Sequence, residues 1–532
     1  MLYTESWQGG KKGSSALIVV ALSSFLLLST GCTETPTLHH GNLSLDSYAE
    51  LKTDEYALNS LAVKENLEHI CKDDHDGSYA AKQAKRYYSE GASLLWVDYQ
   101  GVDDRADTLV SVLREKLPEI GFSEQAFQIN QIVEDLETMR SLSFNSSSPA
   151  SLVASRLDYN LTKAYLRYVA GQRFGFVNPN HVLNHYDVSA RDTTGNPTAY
   201  RHLFDVGMEH PTDAYPGQAL RRVTHDSLNI YLRRVEPTNS FYGQLKKMIP
   251  TASSAMRQKI LVNMERCRWR EKLIPAQGEK YIIVNVPAYH LWAVGPDSVL
   301  DMRVACGAVK TKTPLLSSRI THMEVNPEWV IPHSIVLDDV ARHGGDSSYF
   351  ARHHYYIADR KTGKHLSPKA VTPAMLRSGN YRVVQEGGAG NSLGRIIFRF
   401  PNNFSVFLHD TSSPGAFGRD NRGVSHGCVR VQRPFDLAVF MMEKDPDEWL
   451  LDKLRISMGM KPETDRGREL LDELDPGEPT PKLVRYQQVS PRVPIIITYY
   501  TIFRAPDGTL QYYPDVYGYD KAIGEAMKTY CS

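Results

Sequence analysis

Apolar positions in the first half of the chain recur with helical spacing. In ADTLVSVLREKL, Leu109, Val112, Leu113 and Leu117 fall at i, i+3, i+4 and i+8, and in RLDYNLTKAYLRY the set Leu157, Leu161, Ala164, Tyr165 and Tyr168 falls at i, i+4, i+7, i+8 and i+11, so each segment lays one face on a core. The Ser-rich break FNSSSPAS (144–151), carrying Pro149, reads as a loop. Near Gly278 the period changes. EKYIIVNVPAYHLWAV carries β-branched and aromatic residues with partial alternation, and the turn residues Gly295, Pro296 and Asp297 separate it from VLDMRVACGAV, a strand-turn-strand pattern. Further strands are expected at 323–331, 395–400 and 405–408, and RPFDLAVFMMEK (433–444) reads as a helix with Pro434 in its first turn. Residues 336–394, irregular and rich in charge, histidine and glycine, read as an inserted lid. After the acidic linker LDELDPGEPTPK (471–482), the run VPIIITYYTIF is another strong strand, and the tail is expected to rejoin the β-rich half.

This patterning predicts a multidomain protein: a mainly helical scaffold over 46–275, a β-rich domain over 278–460 with the lid at 336–394, and a linker with closing strands over 461–532. A chain of 532 residues is long enough for each part to bury its own core. Lys and Arg (61) balance Asp and Glu (61), and no basic stretch tracks a phosphate backbone, which argues against nucleic acid as a partner.

The amino terminus points to a compartment. Lys11 and Lys12 precede the apolar run ALIVVALSSFLLL (16–28), which is short for a spanning helix and reads as a signal peptide over 1–32. Gly31-Cys32 directly after it resembles a bacterial lipoprotein signal, with Cys32 as the lipidated residue and 33–45 as a polar tether. Lipidation, simple secretion and an uncleaved anchor all place the protein outside the cytoplasm. Setting Cys32 aside leaves Cys71, Cys267, Cys306, Cys428 and Cys531, an odd number, so at least one is unpaired and no pairing can be assigned. No CxxC occurs, which weighs against a zinc ribbon or a thioredoxin-like site.

One stretch concentrates chemistry: HDTSSPGAFGRDNRGVSHGCVR, residues 409–430. A thiol needs a base or a positive charge nearby to become nucleophilic. Cys428 has His426 two residues before it, Arg430 two after it, and His409 at the end of an expected strand nineteen residues upstream. Gly423 and Gly427 let the backbone turn, N–H groups around Gly427 and Cys428 could form an oxyanion pocket, and Arg430 could hold a carboxylate. The same residues also fit a buried small cysteine, or less well a metal site, since further ligands at customary spacing are missing.

SHGCVR behind an HDT element at this distance resembles the L,D-transpeptidase catalytic domain, the YkuD-type family, whose pattern is H(G/D)T, a spacer and SHGC(V/I)R. The likeness extends to MERCRWR, YIIVNVPAYHLWAV, VNPEWVIPHSI, GNSLGRIIFRFPN and DGTLQYYPDVYGYD, and in the helical half to ASLLWVDYQGVDDRADTLVSVL and RLDYNLTKAYLRYVAGQRFGFVNPN. These resemble the large periplasmic L,D-transpeptidases of the YcbB type over roughly residues 85–525. The resemblance implies a YkuD-like catalytic domain, Cys428 as nucleophile and His409 as proton acceptor and donor. His426, Ser425 and Gly427 would shape the thiolate and oxyanion surroundings, and Arg430 would orient substrate or brace the loop. Arg422 and Asp410 fit a site or a solvated loop equally, and Asn391, Arg395 and Trp329 are expected in turns and core packing. The small peptidoglycan-binding domain that YcbB-type proteins carry before the MER-x-RW segment is not recognisable in 241–263, which would leave substrate anchoring to lid and scaffold.

The implied activity is formation of 3-to-3 peptidoglycan cross-links through a cysteine thioester. Tetrapeptide stems would be donor and acceptor, no cofactor or metal would be needed, and a lipid anchor would hold the protein at the cell envelope. Two other readings remain: a thiol L,D-carboxypeptidase that hydrolyses stem peptides, and a non-catalytic envelope lipoprotein that binds wall.

Overall fold

The computed structural model describes residues 53–531 except 92, 99–100, 225–226, 443–445 and 475–481. The expected signal segment with Cys32, the tether at 33–45 and most of the acidic linker therefore lie outside the described residues. Helices α1 (Ser60–Asp73), α2 (Tyr79–Ser89), α3 (Asp104–Glu119) and α4 (Ile129–Ser141) pack around the long α5 (Ala150–Phe174). In α5 the apolar positions are not confined to one stripe, and it is buried on nearly all sides, as a central helix must be. Asp158 in its middle is buried, yet its carboxylate accepts the backbone N–H groups of Leu95, Trp96 and Val97. These bonds pin the loop after α2 onto α5 and supply the partners that a buried carboxylate requires.

The second half is built on a ten-stranded sheet. Its strands are β1 (Phe204–Asp205), β2 (Tyr281–Asn285), β3 (His290–Val294), β4 (Val299–Gly307) and β5 (Leu315–Val325), then, after the lid strands β6 to β9 given below, β10 (Ile396–Arg399), β11 (Leu408–His409), β12 (Gly423–Ser425), β13 (Val429–Val431) and β14 (Tyr486–Thr498). Hydrogen-bonded neighbours run β10–β11–β13–β4–β3–β2–β14–β5, and β10 pairs again with β5, so these eight strands close into a barrel. The short β1, which comes from the scaffold half, adds to β5 at Leu315 and Leu316, and β12 adds to β4. The late strand β14 lies between β2 and β5. The chain cannot close its barrel until nearly all of it has been made.

The EKYIIVNVPAYHLWAV run is two strands, not one. Tyr289 takes φ +49° after a short 3-10 turn, reversing the chain so that β2 and β3 pair antiparallel. Likewise the 323–331 run is broken. Asn326 sits at φ +49° before Pro327, β5 ends at Val325, and Trp329 leads β6 (Trp329–Val330) into a separate sheet. That sheet, in the order β6–β9–β7–β8, holds β7 (Tyr355–Asp359), β8 (His365–Leu366) and β9 (Tyr381–Gln385). Ile331, Val340, Phe350, Ile357, Leu376 and Val383 give this subdomain a core of its own, whereas scaffold and barrel share one continuous apolar cluster.

Polar contacts also lock scaffold to barrel. On α6 (Ser254–Arg268), Asn263 donates to Thr501 Oγ1 at 2.8 Å and Arg266 pairs with Asp520 at 2.7 Å. Arg268, 1% exposed, donates to Gln172, Glu265 and Tyr242. The expected helix after the cysteine motif is α7 (Pro434–Met441), and after α8 (Glu448–Ser457) the last helix, α9 (Tyr519–Cys531), packs on α6 and so returns the chain end to the scaffold. All five described cysteines are free thiols.

Candidate active site

The site begins with strand register. β11 and β13 are parallel neighbours, with His409 opposite Arg430. Registered neighbours share a face of the sheet, so Arg430 points to the side that His409 occupies, and Cys428 stands in the bend that leads into β13. His409 is buried, 4% exposed, and its Nδ1 lies 2.5 Å from the Asp410 carbonyl. A carbonyl only accepts, so Nδ1 carries the proton and Nε2 keeps the lone pair. Burial pushes the imidazole down to about 4, helped by the Arg430 charge and opposed by the carbonyls of Asp410 and Leu393. His409 is thus a neutral base at ordinary pH.

Cys428 is half-buried, and its Sγ lies 3.8 Å from the Ser405 carbonyl. Burial raises the thiol above its ordinary value, and the Arg399 and Arg430 charges partly offset that. The resting pair is therefore thiol and imidazole, not thiolate and imidazolium. Arg430 is half-buried, and its Nε has no hydrogen-bond partner among the described residues. A desolvated, unpaired donor beside the sulfur is suited to receive an anionic or carbonyl oxygen.

The loop that carries the cysteine is fixed from below. Buried Ser425 donates its hydroxyl to the Cys428 carbonyl (2.6 Å) and accepts the Gly427 N–H (3.1 Å), while its own carbonyl receives Ala308 N–H and Thr311 Oγ1. Gly427 turns at φ +119°, a region that side chains avoid. Its carbonyl accepts from Thr313 Oγ1 at 2.9 Å, and Tyr517 OH bonds both Gly307 O and Thr313 N–H. Tyr499 in turn joins Tyr517 N–H to Asp515. Thr313, Tyr499 and Tyr517 were not singled out by sequence reasoning. The only signal was a polar Thr after a strand and a Tyr-rich tail, neither of which reveals a contact across more than a hundred residues.

Two expectations are corrected here. The Gly427 N–H is committed to Ser425 and does not line an oxyanion pocket, whereas the Cys428 N–H has no acceptor among the described residues and is the donor left for that task. His426 is solvent-exposed and bonds to no described residue, because the Gly427 turn breaks the alternation that would have put it beside Cys428. Arg422 is a brace: its guanidinium donates to the carbonyls of Val304, Ala288, Tyr289 and Arg419. Asp410 is a second brace, accepting from the N–H groups of Arg395 and Thr411, and a Cβ at Gly394 would stand 2.4 Å from its side chain. Buried Asn391 bonds the carbonyls of Pro327 and Glu386 and so ties the exit of the lid to its entrance. Arg395 reaches Asn326, and Trp329, half-buried, packs on the lid core.

Residues 279–456, which hold the buried imidazole and the hydroxyl-braced cysteine loop, match the L,D-transpeptidase catalytic domain model. Residues 279–456 are an L,D-transpeptidase catalytic domain. Ahead of it, residues 82–249 match the scaffold domain model, and together they give the chain the YcbB-type arrangement. A Haemophilus influenzae protein named "Putative L,D-transpeptidase" is 28% identical over 326 residues, 60% of this chain and 60% of that protein's own length. Two solved structures also match. One, titled as the Ldtfm–avibactam carbamoyl enzyme, is 12% identical over 41% of this chain and 49% of that one; the other, an L,D-transpeptidase from Mycobacterium smegmatis, is 15% identical over 41% and 58%. At a TM-score of 0.18 each, neither carries any argument.

Proposed function

We propose that this L,D-transpeptidase forms 3-to-3 peptidoglycan cross-links through a thioester on Cys428. The observation that carries the reading is the pairing of His409 with Arg430, which sets the buried imidazole against the strand that Cys428 leads into. A tetrapeptide stem would present the carbonyl between its third residue and the terminal D-alanine. The thiol leaves the Ser405 carbonyl, passes its proton to His409 as Sγ attacks, and His409 then protonates the departing D-alanine amine. The Cys428 N–H and the Arg430 guanidinium stabilise the oxyanion. The side-chain amine of a diamino acid on a second stem attacks the thioester, His409 takes its proton, and the thiol is released. Thioester formation conserves the energy of the cleaved amide, so no nucleotide enters the balance.

Residues 1–32 extend this reading to the envelope, with a lipid on Cys32 holding the enzyme to a membrane beside its substrate. Metabolic labelling with a fatty acid tests that part, label being lost in Cys32→Ala. For the reaction itself, the protein is incubated with a disaccharide tetrapeptide and the products are weighed by mass spectrometry. A dimer that has lost one D-alanine, absent with Cys428→Ala, is the expected result. D-alanine loss without dimer would make the protein an L,D-carboxypeptidase, and unchanged substrate would sink both.

A further inference from the structure

Across the barrel from Cys428 lies a feature the transpeptidase reading does not use. β14 and β13 stand four strands apart in either direction around the barrel. Where β14 and β2 meet the scaffold there is an apolar chamber of about 270 Å³, walled by Trp269, Ile274, Ile283, Ile496, Tyr500 and Phe503. Ile274, at 56% exposure, is among the most solvent-exposed large apolar side chains of the protein. Arg266, 4% exposed, also lines the chamber and has its Nη2 buried without a hydrogen-bond partner among the described residues.

Glu209 lines both this chamber and a second pocket of about 660 Å³ beside it. The second pocket has a different character. Arg173, Arg222, Lys272 and His210 line it, with the ring of Tyr231 under the Arg222 guanidinium at 4.6 Å. Arg270 lines the chamber close enough to Arg173 that, after burial, their like charge lowers its proton affinity further. Against these cations chamber and pocket offer two carboxyl groups among the described residues: Glu209, 3.4 Å from Arg173, and Glu271 in the chamber, which burial pushes up to about 7 and whose Oε2 has no hydrogen-bond partner among the described residues. The side chains of Arg222, Arg270 and Lys272 have no hydrogen bond or ion pair to a described residue. Many other cations of the scaffold are paired, as in Arg140–Asp107, Arg156–Asp135 and Arg233–Glu115. A cationic mouth in which only Arg173 has an acidic partner among the described residues, set on a largely apolar chamber, is complementary to one kind of molecule.

We propose that this seam binds an anionic amphiphile, its alkyl chain in the chamber and its phosphate at the Arg173, Arg222, Arg270 and Lys272 mouth. The site is separate from the Cys428 chemistry, and its test does not depend on it. Binding of dodecyl phosphate to the whole protein is measured by calorimetry below the micelle threshold, beside inorganic phosphate and the uncharged dodecyl maltoside. Dodecyl phosphate should bind at least tenfold more tightly than either. Arg222→Gln with Lys272→Gln should weaken it about tenfold, Ile274→Glu should weaken it similarly, and Glu209→Gln should tighten it several-fold, a gain that a misfolded variant cannot give. A carbapenem, as a strained acyl donor, should acylate Cys428 if the proposed function holds, and that acylation should be unchanged in all of them. Vesicles containing phosphatidylglycerol decide the source. Capture by them, lost in the same variants, marks a membrane lipid, and indifference to them beside tight dodecyl phosphate binding marks a free one. Equal affinity for dodecyl phosphate and dodecyl maltoside, or binding that none of the substitutions alters, would overturn the proposal.

Discussion

His409 sets the pH range in which the site can work. Its imidazole is neutral down to about 4 because burial disfavours the charged ring, so the base form is present above that value and is lost as pH falls through it. Cys428 acylation by a carbapenem, followed by stopped-flow across pH 3.5 to 8, should therefore show its acid limb near 4, below the ordinary histidine value. A limb near 6.5 would mean that the ring is solvated and not the buried base described here. His409→Gln keeps a buried polar side chain but supplies no base, and acylation should slow by roughly 10²- to 10⁴-fold. The residues alone fitted a buried small cysteine as well as a catalytic one, and it was the likeness of HDT and SHGCVR to the family that singled out His409 and Cys428. The fate of the Gly427 N–H and of the His426 ring was not legible, since both follow from one positive φ that the letters SHGC do not reveal.

At the scale of elements, the cysteine loop is held by bonds that arrive from β4, from the segment after it and from the far C-terminal tail. Thr313→Val removes the hydroxyl that serves both the Gly427 carbonyl and the Gly307 N–H. It should cost about 1–3 kcal/mol in denaturant unfolding and slow acylation while leaving the acid limb in place, whereas a shifted limb would place Thr313 in direct contact with the base. Helical elements were the easiest to read, since α3 and α5 declare themselves by spacing. The lid boundary was harder. A run of strand-forming residues from 323 to 331 gives no local sign that it serves two sheets, and only Asn326 at φ +49° and the pairing of Trp329 with Gln385 divide it. The turn at Tyr289 hid for the same reason, because it uses no glycine or asparagine.

For the whole molecule, the shared apolar cluster and the Arg268 network join scaffold and barrel into one structure. Arg268→Ala takes the counter-charge from buried Glu265, leaving it only the N–H groups of Val177 and Trp269, and breaking a buried pair from one side costs about 3–5 kcal/mol. Calorimetry should show one lowered transition, and two separate transitions would mean that the halves fold independently. The scaffold also carries an acid-sensitive contact. Although burial works the other way, bonds from Lys163 and Tyr159 hold the Asp74 carboxyl down to about 2. The stabilisation is present above the ordinary carboxylate value and is lost as pH falls toward 2, so thermal scans should steepen there and Asp74→Asn should flatten them. The proposed reaction turns on one bond, the thioester at Cys428. The most direct measurement is to quench the protein in acid during turnover of disaccharide tetrapeptide and map the added mass by peptide mass spectrometry. The expected result is a substrate acyl group, lacking D-alanine, on the peptide containing Cys428 and removable by hydroxylamine; an adduct on another residue, or turnover with no covalent intermediate, would rule out the Cys428 thioester.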